Sequence, residues 1–307
     1  MEKRYPEIQY LSILDDILKY GVKKSNRTGI DTYSLFNTVW DSGELLKIGR
    51  FPLMTTRKTY FKGALVELFW ILGILQKQDP ICHTDRNNVA YLKRAGCDYW
   101  DKWADENGDL GPVYGAQLTE WKYDYKAELS YDKNDNTIYM YHKTMNQVDE
   151  LVKKLRENPD DRRLVCTMWN PGELDEMALP PCHYCFECYS KPLLNGSREL
   201  SLRWVQRSCD MPLGVPYDIT MYSLLLIILC KLTSHKPGTV YGLFGDSHIY
   251  ENQVEGVKQM LKNEVYEAPN LVYTGPEHVN SLYDFKMEWF NITDYKYHKA
   301  VDLAVNV

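Results

Sequence analysis

The sequence predicts a mixed α/β chain, and two observations carry that reading. Apolar residues recur at helical spacing over Gln9–Tyr20, Thr59–Leu75, Met145–Asn158 and Ile219–Leu232, while Tyr33–Phe51, Cys185–Tyr189, Leu200–Val205 and Phe244–Tyr250 carry strand-like patterning. No repeat, low-complexity tract or linker separates these segments. Residues 1–307 therefore read as one domain, with surface insertions near 77–90, 122–144 and 190–199.

Composition narrows the function classes. With 307 residues, 44% of them hydrophobic and 25% charged, the chain can bury a large core. A net charge of -6 offers no overall field for a nucleic-acid backbone, so an anionic ligand needs a local arginine cluster, which favours a small phosphate ligand over a polymer. Eight cysteines are too dilute for a disulfide scaffold, and Met1–Pro6 is no secretory leader. The expected setting is a reducing cytoplasm, with no membrane and no nucleic acid as partner.

The first helix carries Leu11, Ile13, Leu14, Ile17 and Leu18 and ends near Gly21. The polar turn Ser25–Thr32 holds Arg27, and suits an anion-binding loop as well as a solvated turn. Glu67 lies among Leu65, Val66, Leu68, Phe69 and Trp70, where a lone carboxylate is costly, so it needs a partner. Tyr99–Gly115 is dense in aromatics, glycines and acids, suited to binding a ring or to capping a core. Lys122–Tyr139 reads as a polar surface excursion. Arg162 and Arg163 follow Asp160 and Asp161, and can face a phosphate or pair with those aspartates.

In Leu179-Pro180-Pro181-Cys182-His183 two prolines hold a thiol that an imidazole follows. A catalytic thiol needs positive charge nearby to lower its pKa, and Arg207 is a candidate source. Cys185 and Cys188 have metal-like spacing but alternate with apolar residues as a strand would. Gly196 marks the turn between two strands. Asp218 opens an apolar run too short and interrupted to span a membrane, and by itself reads as a helix cap. His248 and Tyr250 share one face of a strand-like segment.

Asn26-Arg27-Thr28-Gly29, Glu67-Leu68 with Trp70, Trp100-Asp101 through Tyr114-Gly115, Arg162-Arg163, Trp169-Asn170, Pro181-Cys182-His183, Gln206–Asp210, Leu213–Pro216, and Asp246 with His248 and Tyr250 occur in this order. With these motifs the chain resembles the thymidylate synthase family over nearly its whole length. The resemblance implies a bent mixed β-sheet flanked by helices, in a homodimer whose active sites are shared between subunits. It implies 5,10-methylenetetrahydrofolate as donor of a one-carbon unit to C5 of a pyrimidine nucleotide. Carried over by position, Cys182 adds to C6 of the ring, while Arg27, Arg207 and Ser208 bind the 5′-phosphate, joined by Arg162 and Arg163 of the other subunit. His248 and Tyr250 bind the 3′-hydroxyl, Glu67 organises proton-moving waters, and Tyr114 assists proton removal from C5. Trp100, Asp210, Gly214, Tyr217 and Val307 line the folate site. Arg207 is also expected to hold the Cys182 pKa down.

One position departs from the synthase pattern: Asp218 stands where synthases have asparagine. A carboxamide matches the N3–H donor and O4 acceptor of uracil, whereas a carboxylate accepts from the N4 amino group of cytosine and shares a proton with N3. Aspartate here resembles the deoxycytidylate hydroxymethylases, known chiefly from bacteriophages that modify their cytosine. The expected reaction is dCMP to 5-hydroxymethyl-dCMP. Methylation of dCMP, action on dUMP, and a non-catalytic nucleotide- or RNA-binding role are the alternatives. Trp100, Trp103, His183 and a tail ending in Val307 are like the synthases, while the make-up of the ending Asp302–Val307 and Pro180 differ from their usual pattern.

Overall fold

A computed structural model of the chain describes residues 5–79, 87–126 and 140–306. Helix α1 (Pro6–Tyr20) starts on a proline, whose missing N–H is one of the helix's unpaired donors in any case, and buries Tyr10, Ile13, Leu14 and Ile17. It stops at Gly21, where a Cβ would lie 2.4 Å from the Ile17 carbonyl oxygen. Strands β1 (Val22–Lys24) and β2 (Thr32–Asp41) flank the Arg27 turn. The single helix expected over Thr59–Leu75 is two, α2 (Phe61–Ile71) and α3 (Ile74–Gln78), because Gly73 takes φ 73° between them. Short helices α4 (Ala90–Arg94) and α5 (Tyr114–Thr119) follow. The expected surface excursion carries an antiparallel pair, β3 (Trp121–Lys126) and β4 (Met140–Met145), whose connection lies outside the described residues. Helix α6 (Gln147–Glu157) is capped by the Asn146 side chain, which accepts from the N–H groups of Val148 and Asp149.

Then come β5 (Val165–Thr167), β6 (His183–Pro192) and β7 (Arg198–Asp210), with Gly196 at φ 82° in the turn between the last two. The apolar run expected to be too short to span a membrane lies in helix α7 (Val215–Thr233), which starts four residues earlier than the run and is long and apolar enough to cross one, so that expectation is corrected; nearly all of the helix is buried in the core. Strand β8 (Lys236–Tyr250), helix α8 (Val254–Lys262) and the antiparallel pair β9 (Asn270–Tyr273) and β10 (Phe290–Thr293) complete the elements.

Among the described residues the main sheet has six strands in the order β1-β2-β8-β7-β6-β5, mixed because β7 and β8 run parallel. Register sorts its faces. Cys166, Phe186, Trp204, Gly242 and Trp40 lie side by side across five strands and are buried, with α7 packed on β7 and β8. Gly242 is there because a Cβ would come within 2.8 Å of both Trp204 and Phe244. The adjacent row, Val165, Glu187, Arg203 and Tyr241, points the other way, and Val165 and Tyr241 are exposed. Register shifts at His183/Cys185 and Leu200/Leu202, and Asn37 at φ 65°, bend the strands.

Strand direction then collects the chemistry at one end. The C-terminal ends of parallel β7 and β8 meet the start of antiparallel β6, and Thr32 at the start of β2 pairs with Tyr250. Arg27, Cys182, Ser208, Asp210, His248 and Tyr250 thus come from distant parts of the chain to one sheet edge.

Candidate active site

The thiol sits on a pedestal. The Cys182 N–H donates to Tyr114 Oη at 2.9 Å, and its carbonyl accepts from the Arg207 N–H at 2.8 Å. Arg207 clamps the preceding prolines, Nε to the Pro181 carbonyl and Nη2 to the Pro180 carbonyl, both 2.9 Å, and lies over the Trp169 ring. Burial pushes the Cys182 thiol above its ordinary pKa, with Arg207 and Arg27 pulling down and Asp218 and Asp210 adding to the rise. Arg207 acts on this pKa in the expected downward direction, but desolvation outweighs it and the thiol stays above its ordinary value.

Beside the thiol, Asp218 is in the first turn of α7, where Gly214 holds the cap position. Its carboxyl is engaged elsewhere, with Oδ2 accepting from Gln206 Nε2 at 2.9 Å, so it is more than a helix cap. Burial raises Asp218 well above the carboxylate range, only partly offset by Gln206 and reinforced by Glu67 and Asp210. His183 Nε2 lies 3.8 Å from Asp218 Oδ1, but burial holds that imidazole's pKa down to about 3, so it is neutral at pH 7 and the pair is no salt bridge. His183 Nδ1 is 2.8 Å from Tyr222 Oη, and the ring stacks on Tyr114 at 4.4 Å.

Glu67 finds its partners in neutral donors: Tyr99 Oη to Oε2 at 2.6 Å and Trp100 Nε1 to Oε1 at 2.7 Å. Burial still raises its pKa. Trp100 in turn packs against Trp70, Trp103 and Tyr114. At the far side His248 Nδ1 lies 3.3 Å from Asp246 Oδ1, and Tyr250 meets the His248 ring edge-on. Asp246, hydrogen-bonded by His248, Lys24 and Ser34, is held well below the usual carboxylate range. Arg27 is exposed in its turn, which the Asn26 side chain and Gly29 at φ 76° shape.

Asp210 accepts from the Leu213 N–H and from Gln253 Nε2, both at 3.1 Å, and burial raises its pKa. Gly214 and Tyr217 follow at the start of α7, and the Tyr217 N–H donates to the Gly214 carbonyl at 2.9 Å. Val307 lies outside the described residues. Arg162 and Arg163 join no contact with these groups in the same chain, among the described residues. Arg162 borders the open sheet face beside Glu187 and Arg203, and Arg163 pairs with Asp161 at 3.0 Å.

A family model described as thymidylate synthase matches residues 8–307. The chain belongs to the thymidylate synthase family. Thymidylate synthase family members transfer a one-carbon unit from methylenetetrahydrofolate to a pyrimidine nucleotide and act as dimers, and this chain is a folate-dependent one-carbon transferase. The residues fit such a donor. Trp100 and Trp103 offer aromatic walls, Asp210 a carboxylate for ring N–H groups, and the buried Arg57 keeps Nε without a partner while its Nη2 bonds the Leu213 carbonyl at 3.2 Å. Sequence reasoning did not single out Arg57, Tyr99, Tyr222 or Gln253. Tyr99 opened the quoted aromatic stretch and Gln206 a quoted motif, but neither spacing nor composition says which polar atoms face each other.

Proposed function

We propose that the protein converts dCMP to 5-hydroxymethyl-dCMP, with Cys182 adding to C6 of the cytosine ring. The observation that supports this reading is the Asp218 carboxyl, held by Gln206 and raised in pKa by burial. Burial favours its protonated form, so a proton can lie between this carboxyl and cytosine N3. The carboxyl can donate that proton to cytosine N3 while accepting from the N4 amino group, which polarises the ring toward attack at C6. Against uracil, whose N3 carries its own proton, the ionised carboxylate would meet O4 with no donor, a mismatch of about 1–3 kcal/mol.

The other roles follow the family pattern. Arg27, Arg207 and Ser208 bind the 5′-phosphate, with Arg162 and Arg163 of the partner subunit, and this dianion supplies the local arginine cluster that an acidic protein requires. His248 and Tyr250 bind the 3′-hydroxyl. When bound, methylenetetrahydrofolate supplies the one-carbon unit, and Trp100, Asp210, Gly214, Tyr217 and Val307 line its place. Glu67, hydrogen-bonded by Tyr99 and Trp100, orders water for proton movement, and Tyr114, beside Cys182, assists loss of the C5 proton. Cys182 leaves C6 as the product forms, so the enzyme is regenerated.

One observation favours a second reading, 5-methyl-dCMP. The chain's last described residues dock beside the site, where Gln253 Nε2 donates to the Ala304 carbonyl at 2.9 Å, and such a cover keeps water from C5 chemistry. Incubation with dCMP or dUMP and methylenetetrahydrofolate alone, followed by mass analysis of the nucleotide, separates the readings. Asp218→Asn should shift relative kcat/KM from dCMP toward dUMP by about tenfold or more. An unchanged ratio would remove the cytosine assignment.

A further inference from the structure

Gln253, at the turn between β8 and α8, is fully buried and makes no cap bond to the helix it precedes. Both of its amide protons and its oxygen find partners, the oxygen in the capping box of the turn Glu251–Gln253. Nε2 donates to Asp210 Oδ2 at 3.1 Å and to the Ala304 carbonyl at 2.9 Å, while Oε1 accepts from the Tyr250 N–H at 3.2 Å. One planar group thus ties the end of β7, the end of β8 and the C-terminal tail. Next to it, Asn252 and Asn306 exchange side-chain amide hydrogen bonds of 2.8 and 3.2 Å. On α8, a Cβ at Gly256 would lie 2.8 Å from Leu303 Cδ2, 2.9 Å from the Asp302 carbonyl oxygen and 3.0 Å from Val301 Cγ1, so the tail occupies the space a side chain would take.

We propose that Gln253 is a positioning residue that couples the seating of tail residues 301–306 to the placement of the Asp210 carboxylate. If the tail leaves, one Nε2 proton loses its acceptor inside the protein. If Asp210 turns away, the other does. The rigid amide resists either loss, so tail seating and carboxylate orientation reinforce each other. A ligand that engages Asp210 therefore tightens the tail, and a seated tail strengthens that ligand by the same factor. The link to folate rests on the reading of Asp210 as a wall of the folate site.

Gln253→Leu keeps the bulk and removes both donors. Amide hydrogen exchange across 301–306 in the ligand-free protein should quicken about tenfold. The KM for methylenetetrahydrofolate should rise by about the same factor, with the Kd for dCMP within about twofold of wild type. A purely structural role would instead speed exchange throughout and weaken both ligands. Gly256→Ala pushes on the tail from the other side without touching Gln253, and should reproduce both effects. It decides the matter if Gln253→Leu does not fold. Unchanged tail exchange in folded Gln253→Leu would overturn the seat, and a freed tail with unchanged folate KM in either variant would overturn the coupling. The exchange measurement needs no turnover, so a wild type inactive on dCMP would count against the proposed reaction and leave the seat standing.

Discussion

Cys182 is pulled two ways, by burial that favours the thiol and by Arg207 and Arg27 that favour the thiolate. Its role is to attack a ring already bound, so Cys182→Ser should abolish turnover while the Kd for dCMP, read by calorimetry, stays within about threefold. Asp218 gives a sharper test, because its proton is linked to stability. Its folded pKa lies above its unfolded value, so the native state binds more protons between the two, and stability falls as pH rises through that window. A carboxamide at this position does not titrate and carries no such cost. Asp218→Asn should therefore gain more in Tm at pH 8 than at pH 4, measured by scanning calorimetry at both. The sequence exposed Asp218 as a departure and Glu67 as a carboxylate in need of company. It could not identify Gln206 or Tyr99 as the company, because a hydrogen bond is a fact of side-chain direction and apolar patterning reports burial alone.

Elements were legible where one face differs from the other. Helices α1 and α6 followed their apolar stripes, and the turn at Gly196 followed its residue type. The break at Gly73 did not show, since α2 is apolar around most of its circumference and a helix buried on all sides has no stripe to interrupt. The loop before α5 shows what a single backbone position does for the site. Gly111 has φ 70°, and a Cβ there would fall 2.0 Å from the Glu176 carbonyl oxygen. It lies three residues before Tyr114, against the segment that leads to Cys182. Gly111→Ala should cost more than about 2 kcal/mol, through both strain and overlap, and should lower kcat more than it weakens dCMP binding, because Tyr114 is displaced from the thiol. Urea melts and steady-state kinetics together check it.

At the scale of the molecule, the open sheet face carries Tyr189 at 68% exposure, along with Val39, Val165 and Tyr241. Arg162 borders that face rather than its own chain's thiol. If the partner's arginines complete each phosphate site, then Arg163→Ala and Cys182→Ser subunits, each poor alone, should recover activity when mixed into heterodimers, at one site in each. Heterodimers without activity would mean that each site is built from one chain. The sequence could not show this division, since nothing in a local pattern says which of two subunits a side chain serves. The strand order has a further consequence, in time rather than space. Pairing Thr32 with Tyr250 closes a loop that contains nearly every other element, and the parallel β7–β8 pair must wait for α7 to cross between them. Loop closure of that length is rewarded only after the intervening chain has condensed. The sheet edge that gathers Arg27, Cys182 and His248 is thus among the last parts of the molecule to assemble, and a nucleotide that bridges those residues would act as a late clasp on the folding chain.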